Sequence, residues 1–192
     1  MHRVEHLRIE ISVIVYKLWR KCSTPTFLRL FVPISYNPEI HHRRSIRLQG
    51  YDYSQSGAYF VTICTFQRQH LFGEVNDEKM QLNVNGQIVS AIWQQIPRHF
   101  PTVELDEFIL MPDHLHGIIV ISEQAEQSIS LATIIQNFKS VSTRKINKIT
   151  QNSGVSIWQR NYHERIVRSD QDLDRLRHYM LANPENWQFV AE

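Results

Sequence analysis

The chain has 192 residues, of which 42% are hydrophobic and 10% aromatic, and this fits one folded domain with an extension better than two domains. Its net charge of +2 is too small to establish nucleic-acid binding on its own. No apolar run reaches about 18 residues, so no membrane-spanning helix is expected. Its two cysteines, Cys22 and Cys64, exclude a disulfide framework and favour a reducing cytoplasm.

The first 35 residues differ in character from the rest of the chain. They mix apolar stretches with basic residues, and Lys17 and Arg20 interrupt the longest apolar stretch. No small-residue cleavage site follows, which disfavours a signal peptide. We therefore predict an N-terminal extension over residues 1–35 and a folded domain over residues 36–192.

Hydrophobic periodicity predicts the elements of the domain. Segments rich in β-branched and aromatic residues indicate strands, whereas apolar residues at spacings of three and four indicate helices. In chain order these elements are a strand over 57–66, a short hairpin over 70–82, a helix over 84–100, strands over 103–111 and 114–121, a helix over 131–149, a strand within 156–167 and a last helix after Ser169. Apart from the short hairpin and the last helix, the order is β-α-β-β-α-β, which predicts an α+β, ferredoxin-like antiparallel sheet with helices on one face.

The last helix has clear boundaries. Ser169 is a suitable N-cap, with Asp170 and Asp172 in the first turn, where carboxylates interact favourably with the helix dipole. Pro184 closes the segment because proline cannot continue a helix. We predict that this helix is an addition to the split unit.

Two histidines stand two residues apart in a predicted strand. His114 and His116 flank Leu115, and because side chains alternate along a strand, both imidazoles point to one face. Such pairs also occur by chance. Here, however, the pair follows a turn at Pro112 and is embedded in an apolar strand, where polar rings without partners would be costly. This favours a shared cation.

A tyrosine and an asparagine lie one turn apart near the end of the last helix. Tyr179 offers a phenol oxygen as nucleophile, and Asn183 offers an amide oxygen as a third metal ligand. The alternatives are a core position for Tyr179 and a helix-terminal role for Asn183 before Pro184. Two imidazoles and an amide oxygen without a thiolate suit Mg²⁺ or Mn²⁺, although zinc is compatible with the same ligand types.

Four stretches carry a resemblance to a known family. They are residues 36–44 (YNPEIHHRR), 108–118 (FILMPDHLHGI), 158–168 (WQRNYHERIVR) and 179–184 (YMLANP). The second resembles the histidine–hydrophobic–histidine (HUH) motif of single-tyrosine transposases, and the others are similar to the REP-associated tyrosine transposases. The resemblance covers about residues 36–187. It implies a metal-dependent enzyme that cuts and rejoins single-stranded DNA beside hairpins through a covalent 5′-phosphotyrosine link. It also implies His114, His116 and Asn183 as metal ligands and Tyr179 as nucleophile, in a protein that acts as a monomer or a homodimer.

Basic clusters supply candidate phosphate contacts, which position DNA without specifying its sequence. These candidates are Arg43, Arg44, Lys139, Arg144, Arg160, Arg165 and Arg168. Trp158 or His163 could stack an unpaired base, with a core position as the alternative for Trp158. We expect a cytoplasmic protein that associates with the nucleoid when bound to DNA. The competing hypothesis is a non-catalytic or domesticated hairpin-binding protein on the same fold.

Overall fold

The computed structural model of the protein describes residues 51–122, 129–152 and 154–187. The predicted extension over residues 1–35, and the start of the predicted domain at residue 36, lie outside these ranges. The division of the chain therefore stays a prediction.

Six strands and four helices follow one another in the described chain. They are β1 (Gly57–Cys64), β2 (Gly73–Asn76), β3 (Lys79–Leu82), α1 (Val84–Gln94), α2 (Ile96–His99), β4 (Val103–Met111), β5 (His114–Ile121), α3 (Leu131–Thr150), β6 (His163–Val167) and α4 (Asp170–Leu181), with a short 3-10 turn at Phe66–Arg68 after β1. Strands β4 and β5 and the hairpin β2–β3 match the predictions, and α3 differs by one residue.

The main sheet has the strand order β4-β5-β1-β6, and all neighbouring strands are antiparallel. This is the order of a ferredoxin-like split unit, so the predicted fold class is confirmed. The register places His116 opposite Thr62 on β1 and opposite Ile109 on β4. The second histidine therefore lies on a central strand, between the other central strand, β1, and the edge strand β4. Strands β2 and β3 pair only with each other.

One face of the sheet carries the larger core. Helices α1 and α3 pack there, and Trp93 of α1 contacts Phe138 of α3 edge-on with ring centroids 5.1 Å apart. Leu115 of β5 points into this core and is fully buried. Gly117 of β5 lets the Trp93 ring approach closely, because a Cβ at this position would lie 2.4 Å from Cζ2 of Trp93.

The opposite face is covered by α4, the helix added to the split unit. Its contact with the sheet is a small cluster in which Leu176 and Met180 pack against Ile118 of β5. Ser169 caps this helix as predicted, since its hydroxyl accepts a hydrogen bond from the backbone N–H of Asp172. The sheet thus lies between α1 and α3 on one side and α4 on the other.

Three predicted elements differ from those observed. The first strand, predicted over 57–66, ends at Cys64, and a 3-10 turn begins at Phe66. The single helix over 84–100 is broken at Gln95 into α1 and α2, because Pro97 has no N–H to bond the carbonyl four residues earlier and its ring clashes with that carbonyl. The strand within 156–167 is confined to β6, and Trp158 contributes only an isolated bridge to Thr65. Within the described ranges, no helix has the length and apolarity needed to cross a bilayer.

Candidate active site

The two histidines of β5 lie under α4, on the face opposite to Leu115. His114 and His116 are each 1% exposed, and their ring centroids are 4.5 Å apart. The alternation of side chains along a strand therefore brings both rings to one face, as the sequence predicts. Their proximity makes a shared cation geometrically feasible.

A hydrogen-bond partner fixes Nδ1 of each ring. The Asp113 carboxylate lies 2.6 Å from Nδ1 of His114, and the Thr62 hydroxyl lies 2.8 Å from Nδ1 of His116. Metal-binding histidines commonly hold one ring nitrogen in this way, which orients the ring and selects the other nitrogen for the metal. Both rings would therefore coordinate through Nε2. Sequence reasoning read Asp113 only as part of a turn and did not identify Thr62.

Arg68 is a further residue that sequence reasoning missed. Its guanidinium forms an ion pair with Asp113 at 2.8 Å and donates a hydrogen bond to Sγ of Cys64. Gln67 and Arg68 have φ values of 54° and 60°, in the left-handed region that non-glycine residues rarely adopt. Residues held in this region cost free energy that the surrounding structure must offset. The turn after β1 thus places a cation beside the carboxylate that orients His114.

Tyr179 of α4 reaches the histidine pair within its own chain. Its hydroxyl lies 3.3 Å from Nε2 of His116. Phe60 of β1 stacks on the His116 ring at 5.3 Å between centroids and meets the Tyr179 ring edge-on at 6.2 Å. Asn183 lies just beyond the end of α4, and its side chain lowers the pKa of Tyr179. Of the four residues that the sequence nominated, His114, His116 and Tyr179 are in ring contact, and Asn183 lies beside Tyr179.

Trp187, which follows α4, lies beside His114, whereas Tyr179 lies beside His116. Its ring centroid lies 5.9 Å from that of His114 and 5.6 Å from that of His70. Sequence reasoning did not single out this tryptophan. An aromatic residue a few positions beyond the Asn-Pro pair was the only available signal.

Burial sets the protonation of the site. It holds the pKa of both His114 and His116 well below the ordinary value of 6.5, so both rings are neutral at pH 7, which is the form that binds metals. Burial also raises the pKa of Asp113 to about 6, although Arg68 opposes the rise, so Asp113 is mainly a carboxylate at pH 7. The pKa of Tyr179 is raised by burial, against the lowering effects of the Asn183 hydrogen bond and the Arg68 charge.

The donor set fits a divalent cation when Asn183 or a substrate oxygen completes it. Among the described residues, no three side chains of the His, Cys, Asp and Glu types converge as metal ligands. The histidine pair alone would thus need an oxygen from another source. Asn183 is the candidate, because its side chain lowers the pKa of Tyr179 and Tyr179 contacts His116. Two neutral imidazoles with oxygen ligands suit Mg²⁺, Mn²⁺ or Zn²⁺.

The predicted DNA contacts have varied surroundings. Arg160 and Arg168 are exposed near β6, and Arg165 is exposed while it pairs with Asp172. Arg144 is exposed on α3, in the layer over the other face of the sheet. Arg43 and Arg44 lie outside the described residues.

Two other candidates are engaged within the fold. The Lys139 ammonium donates to the carbonyls of Gln159 and Asn161 at 2.9 and 2.8 Å, so it ties the segment before β6 to α3. Trp158 is 5% exposed and its Nε1 donates to the Ser142 hydroxyl, which confirms its core alternative. His163 is half-buried at the start of β6.

Comparisons with known proteins identify related sequences. The family described as "Transposase IS200 like" matches residues 53–183, a range that includes His114, His116, Tyr179 and Asn183. An uncharacterized protein of Haemophilus influenzae is 40% identical over 80% of this chain and 94% of its own length. A second protein of the same organism, whose name proposes a REP-associated tyrosine transposase, is 27% identical over 72% of this chain and 76% of its own.

The fold has a counterpart among solved structures. A REP-associated tyrosine transposase, solved bound to a REP hairpin, aligns with a TM-score of 0.55 and 20% identity over 74% of this chain and 75% of its own. At this identity the likeness concerns the fold, which is shared. Together with the family match over most of the chain, it confirms the resemblance noted in the sequence. The chain belongs to the family of IS200-like transposases.

Proposed function

We propose that the protein is a metal-dependent transposase that cuts and rejoins single-stranded DNA beside hairpins, with Tyr179 as its nucleophile. In this proposal His114, His116 and Asn183 hold Mg²⁺ or Mn²⁺. The observation that carries it is the 3.3 Å distance between the Tyr179 hydroxyl and Nε2 of His116 in one chain. The proposed nucleophile and one of the proposed metal ligands, which are distant in sequence, are thus within contact distance.

The cleavage step exchanges one ester of the phosphate for another. The Tyr179 oxygen attacks the phosphorus, its proton passes to solvent, and the bond from phosphorus to the 3′ oxygen breaks. The leaving 3′ oxygen takes up a proton, and the DNA remains joined to Tyr179 through its 5′ phosphate. Rejoining is the reverse reaction, in which a 3′ hydroxyl attacks the phosphotyrosine and releases the phenol.

The chemistry needs help because a phenol is a weak nucleophile at neutral pH. With an ordinary pKa near 10, about one tyrosine in a thousand is ionised at pH 7, which corresponds to roughly 4 kcal/mol. Burial opposes ionisation of Tyr179 further. A divalent cation bound here would act as a Lewis acid on the scissile phosphate, a contribution of several kcal/mol. Arg68, close enough to favour the Tyr179 phenolate, adds a fixed positive charge beside the site.

Metal coordination and the tyrosine hydrogen bond compete for the same atom. In the tautomer that binds a metal, with the proton on Nδ1, Nε2 of His116 has one lone pair, so it accepts from the Tyr179 hydroxyl or coordinates a metal, but not both. In the proposed active state the hydroxyl therefore gives up this hydrogen bond and turns toward the phosphate.

Hairpin DNA is the proposed partner. The structural counterpart at 20% identity was solved with a REP hairpin, and the fold is common to both proteins. The exposed residues Arg160 and Arg168 flank β6, the strand that leads into α4, and could contact phosphates. We propose that the protein acts in the cytoplasm, at the nucleoid, because its substrate is there.

The decisive experiment is trapping of the covalent adduct. The protein is mixed with hairpin-bearing single-stranded DNA and Mn²⁺, denatured and separated by electrophoresis. We expect a denaturant-stable protein–DNA adduct that Tyr179→Phe and His114→Ala abolish. Tyr162→Phe is the matched control and should leave the adduct intact, because Tyr162 lies over Lys139 rather than in the site.

The alternative hypothesis gives a different result in the same experiment. A non-catalytic hairpin-binding protein would retain the DNA under native conditions and form no adduct with any metal. An adduct that persists in Tyr179→Phe would mean that another residue is the nucleophile.

A further inference from the structure

We infer that two ion pairs, one to each edge strand of the sheet, fix the position of α4 and thereby aim Tyr179 at the histidine pair. The pairs are Arg177–Asp106 and Asp172–Arg165. This makes Asp106 and Arg177 positioning residues for the reaction. The inference rests on the proposed function, since it assigns these residues a role in placing the nucleophile.

The pair to β4 has the more specific geometry. Arg177 donates from Nε to Oδ1 of Asp106 at 2.9 Å and from Nη2 to Oδ2 at 2.6 Å, so both carboxylate oxygens are engaged. Two parallel hydrogen bonds of this kind fix the orientation of both groups as well as their distance.

A bulge in β4 directs the Asp106 carboxylate toward α4. The pairing of β4 with β5 shifts register between Leu105 and Phe108, and Asp106 lies in this bulge. Its Oδ1 also accepts a hydrogen bond from the backbone N–H of Glu107 at 2.7 Å. Bulges beside functional sites commonly redirect a side chain, and this one turns Asp106 toward α4.

The second ion pair attaches α4 to the other edge strand of the sheet, β6. Asp172, in the first turn of α4, pairs with Arg165 of β6. Because β4 and β6 are the two outer strands in the order β4-β5-β1-β6, α4 is bound to both margins of the sheet it crosses.

Helix geometry shows why two pairs are needed. Arg177 lies five positions after Asp172, so the two side chains leave the helix roughly 140° apart. Attachment on both flanks opposes rolling of the helix about its axis. The apolar contact between α4 and the sheet is small, because Leu176 and Met180 are the buried apolar residues of α4. Rolling would displace Tyr179, which projects on the same side as Asp172.

The test is a double-mutant cycle on the rate of adduct formation at saturating DNA and Mn²⁺. Asp106→Ala and Arg177→Met, which keeps the aliphatic stem, should each slow the reaction between about 10-fold and 100-fold, the range expected for a displaced nucleophile. The double variant should be no slower than the slower single variant, because both changes remove one interaction. Hairpin retention should stay within about twofold of wild type.

Two controls isolate the ion pair. Asp174→Asn removes the other carboxylate partner of Arg177, at 3.2 Å on the helix itself, and should leave the rate unchanged. Asp106→Asn keeps one oxygen, which can still accept from the Glu107 N–H and from Nε of Arg177, but it places an NH2 group opposite the Nη2 donor of Arg177. It should therefore slow the reaction nearly as much as Asp106→Ala, although it preserves the hydrogen bond within the bulge.

Hydrogen exchange of the α4 amides provides a readout independent of activity. Exchange should be faster in Asp106→Ala and Arg177→Met than in Asp174→Asn, even if no variant forms an adduct. If the wild type forms no adduct, the proposed function is refuted. The comparison of α4 exchange rates would still show whether the Arg177–Asp106 pair holds α4 in place. The inference is overturned if α4 exchange is unchanged, or if the two single losses multiply in the double variant.

Discussion

The Tyr179 hydroxyl of α4 lies 3.3 Å from Nε2 of His116 of β5 in the same chain. The nucleophile and the metal ligands proposed for one reaction are therefore supplied by one molecule. The helix that carries Tyr179 packs on the sheet that carries His116, through Met180, Leu176 and Ile118. A partner subunit is not needed to complete this set of groups.

The first prediction is that two inactive variants will not restore each other. Chains with Tyr179→Phe and chains with His114→Ala are mixed, and adduct formation is measured on hairpin DNA. Neither chain holds both a nucleophile and an intact histidine pair, so we expect no adduct above the level of each variant alone. Recovery of activity in the mixture would show instead that the working site draws its tyrosine from a second chain.

The sequence predicts the parts of the site that depend on local periodicity. Alternation along β5 places His114 and His116 on one face, and the spacing of Tyr179 and Asn183 places them one turn apart. It does not reveal Thr62, because this contact depends on the register between β1 and β5, which are more than 50 residues apart in sequence. The hydrophobic pattern fixes which face of each strand is buried, but no hairpin turn joins β1 to β5, so their exact register depends on how the distant strands meet in the fold.

Other parts could not be predicted because the same residue type serves several purposes. Lys139 was nominated from its place in a basic cluster, yet its ammonium is 2.9 and 2.8 Å from two carbonyls of its own chain. Arg68 was not nominated, because nothing in the local sequence indicates the left-handed turn that carries it to Asp113. The side of the sheet that α4 covers likewise depends on packing, and it is this choice that places Tyr179 over the histidines.

Asp113→Asn should weaken metal binding. The substitution preserves size but removes the charge that holds the Nδ1 proton of His114 and pairs with Arg68. Loss of such an outer-shell partner commonly lowers metal affinity by about 10-fold to 100-fold. Calorimetric titration with Mn²⁺ measures the effect, with Asp170→Asn, an exposed position in the first turn of α4, as the control. Equal affinities in the two variants would contradict the assigned role of Asp113.

Thr62→Val should destabilise the fold and loosen His116. Valine has the shape of threonine but lacks the hydroxyl that lies 2.8 Å from Nδ1 of His116. A buried ring nitrogen without its partner costs about 1–3 kcal/mol, which urea denaturation can resolve. Thr62→Ser retains the hydroxyl and should keep most of the metal affinity. If serine and valine behave alike, the loss comes from packing rather than from the hydrogen bond.

Gly117→Ala should destabilise the domain through Trp93. The added methyl group would meet Cζ2 of Trp93 at 2.4 Å, and Trp93 is fully buried, so the ring has little room to retreat. Overpacking of this kind typically costs about 1–3 kcal/mol in the free energy of unfolding. Trp93→Phe should cost less in the Gly117→Ala background than in wild type, because the smaller ring relieves the clash. If the two losses in the free energy of unfolding are additive, the strain in Gly117→Ala does not come from its contact with Trp93.

Arg160 and Arg168 should contribute phosphate contacts that do not depend on DNA sequence. Both are exposed next to β6, so substitution by alanine should leave the fold intact. For single-stranded DNA, loss of one phosphate contact should reduce the dependence of log affinity on log salt by about 0.7. Hairpin retention is measured at several salt concentrations and on hairpins of different sequence, with Arg98→Ala, exposed on α2, as the control. The weakening should be the same for every hairpin. A loss confined to one hairpin sequence would mean that these arginines contact bases, and an unchanged salt dependence would place the DNA on another surface.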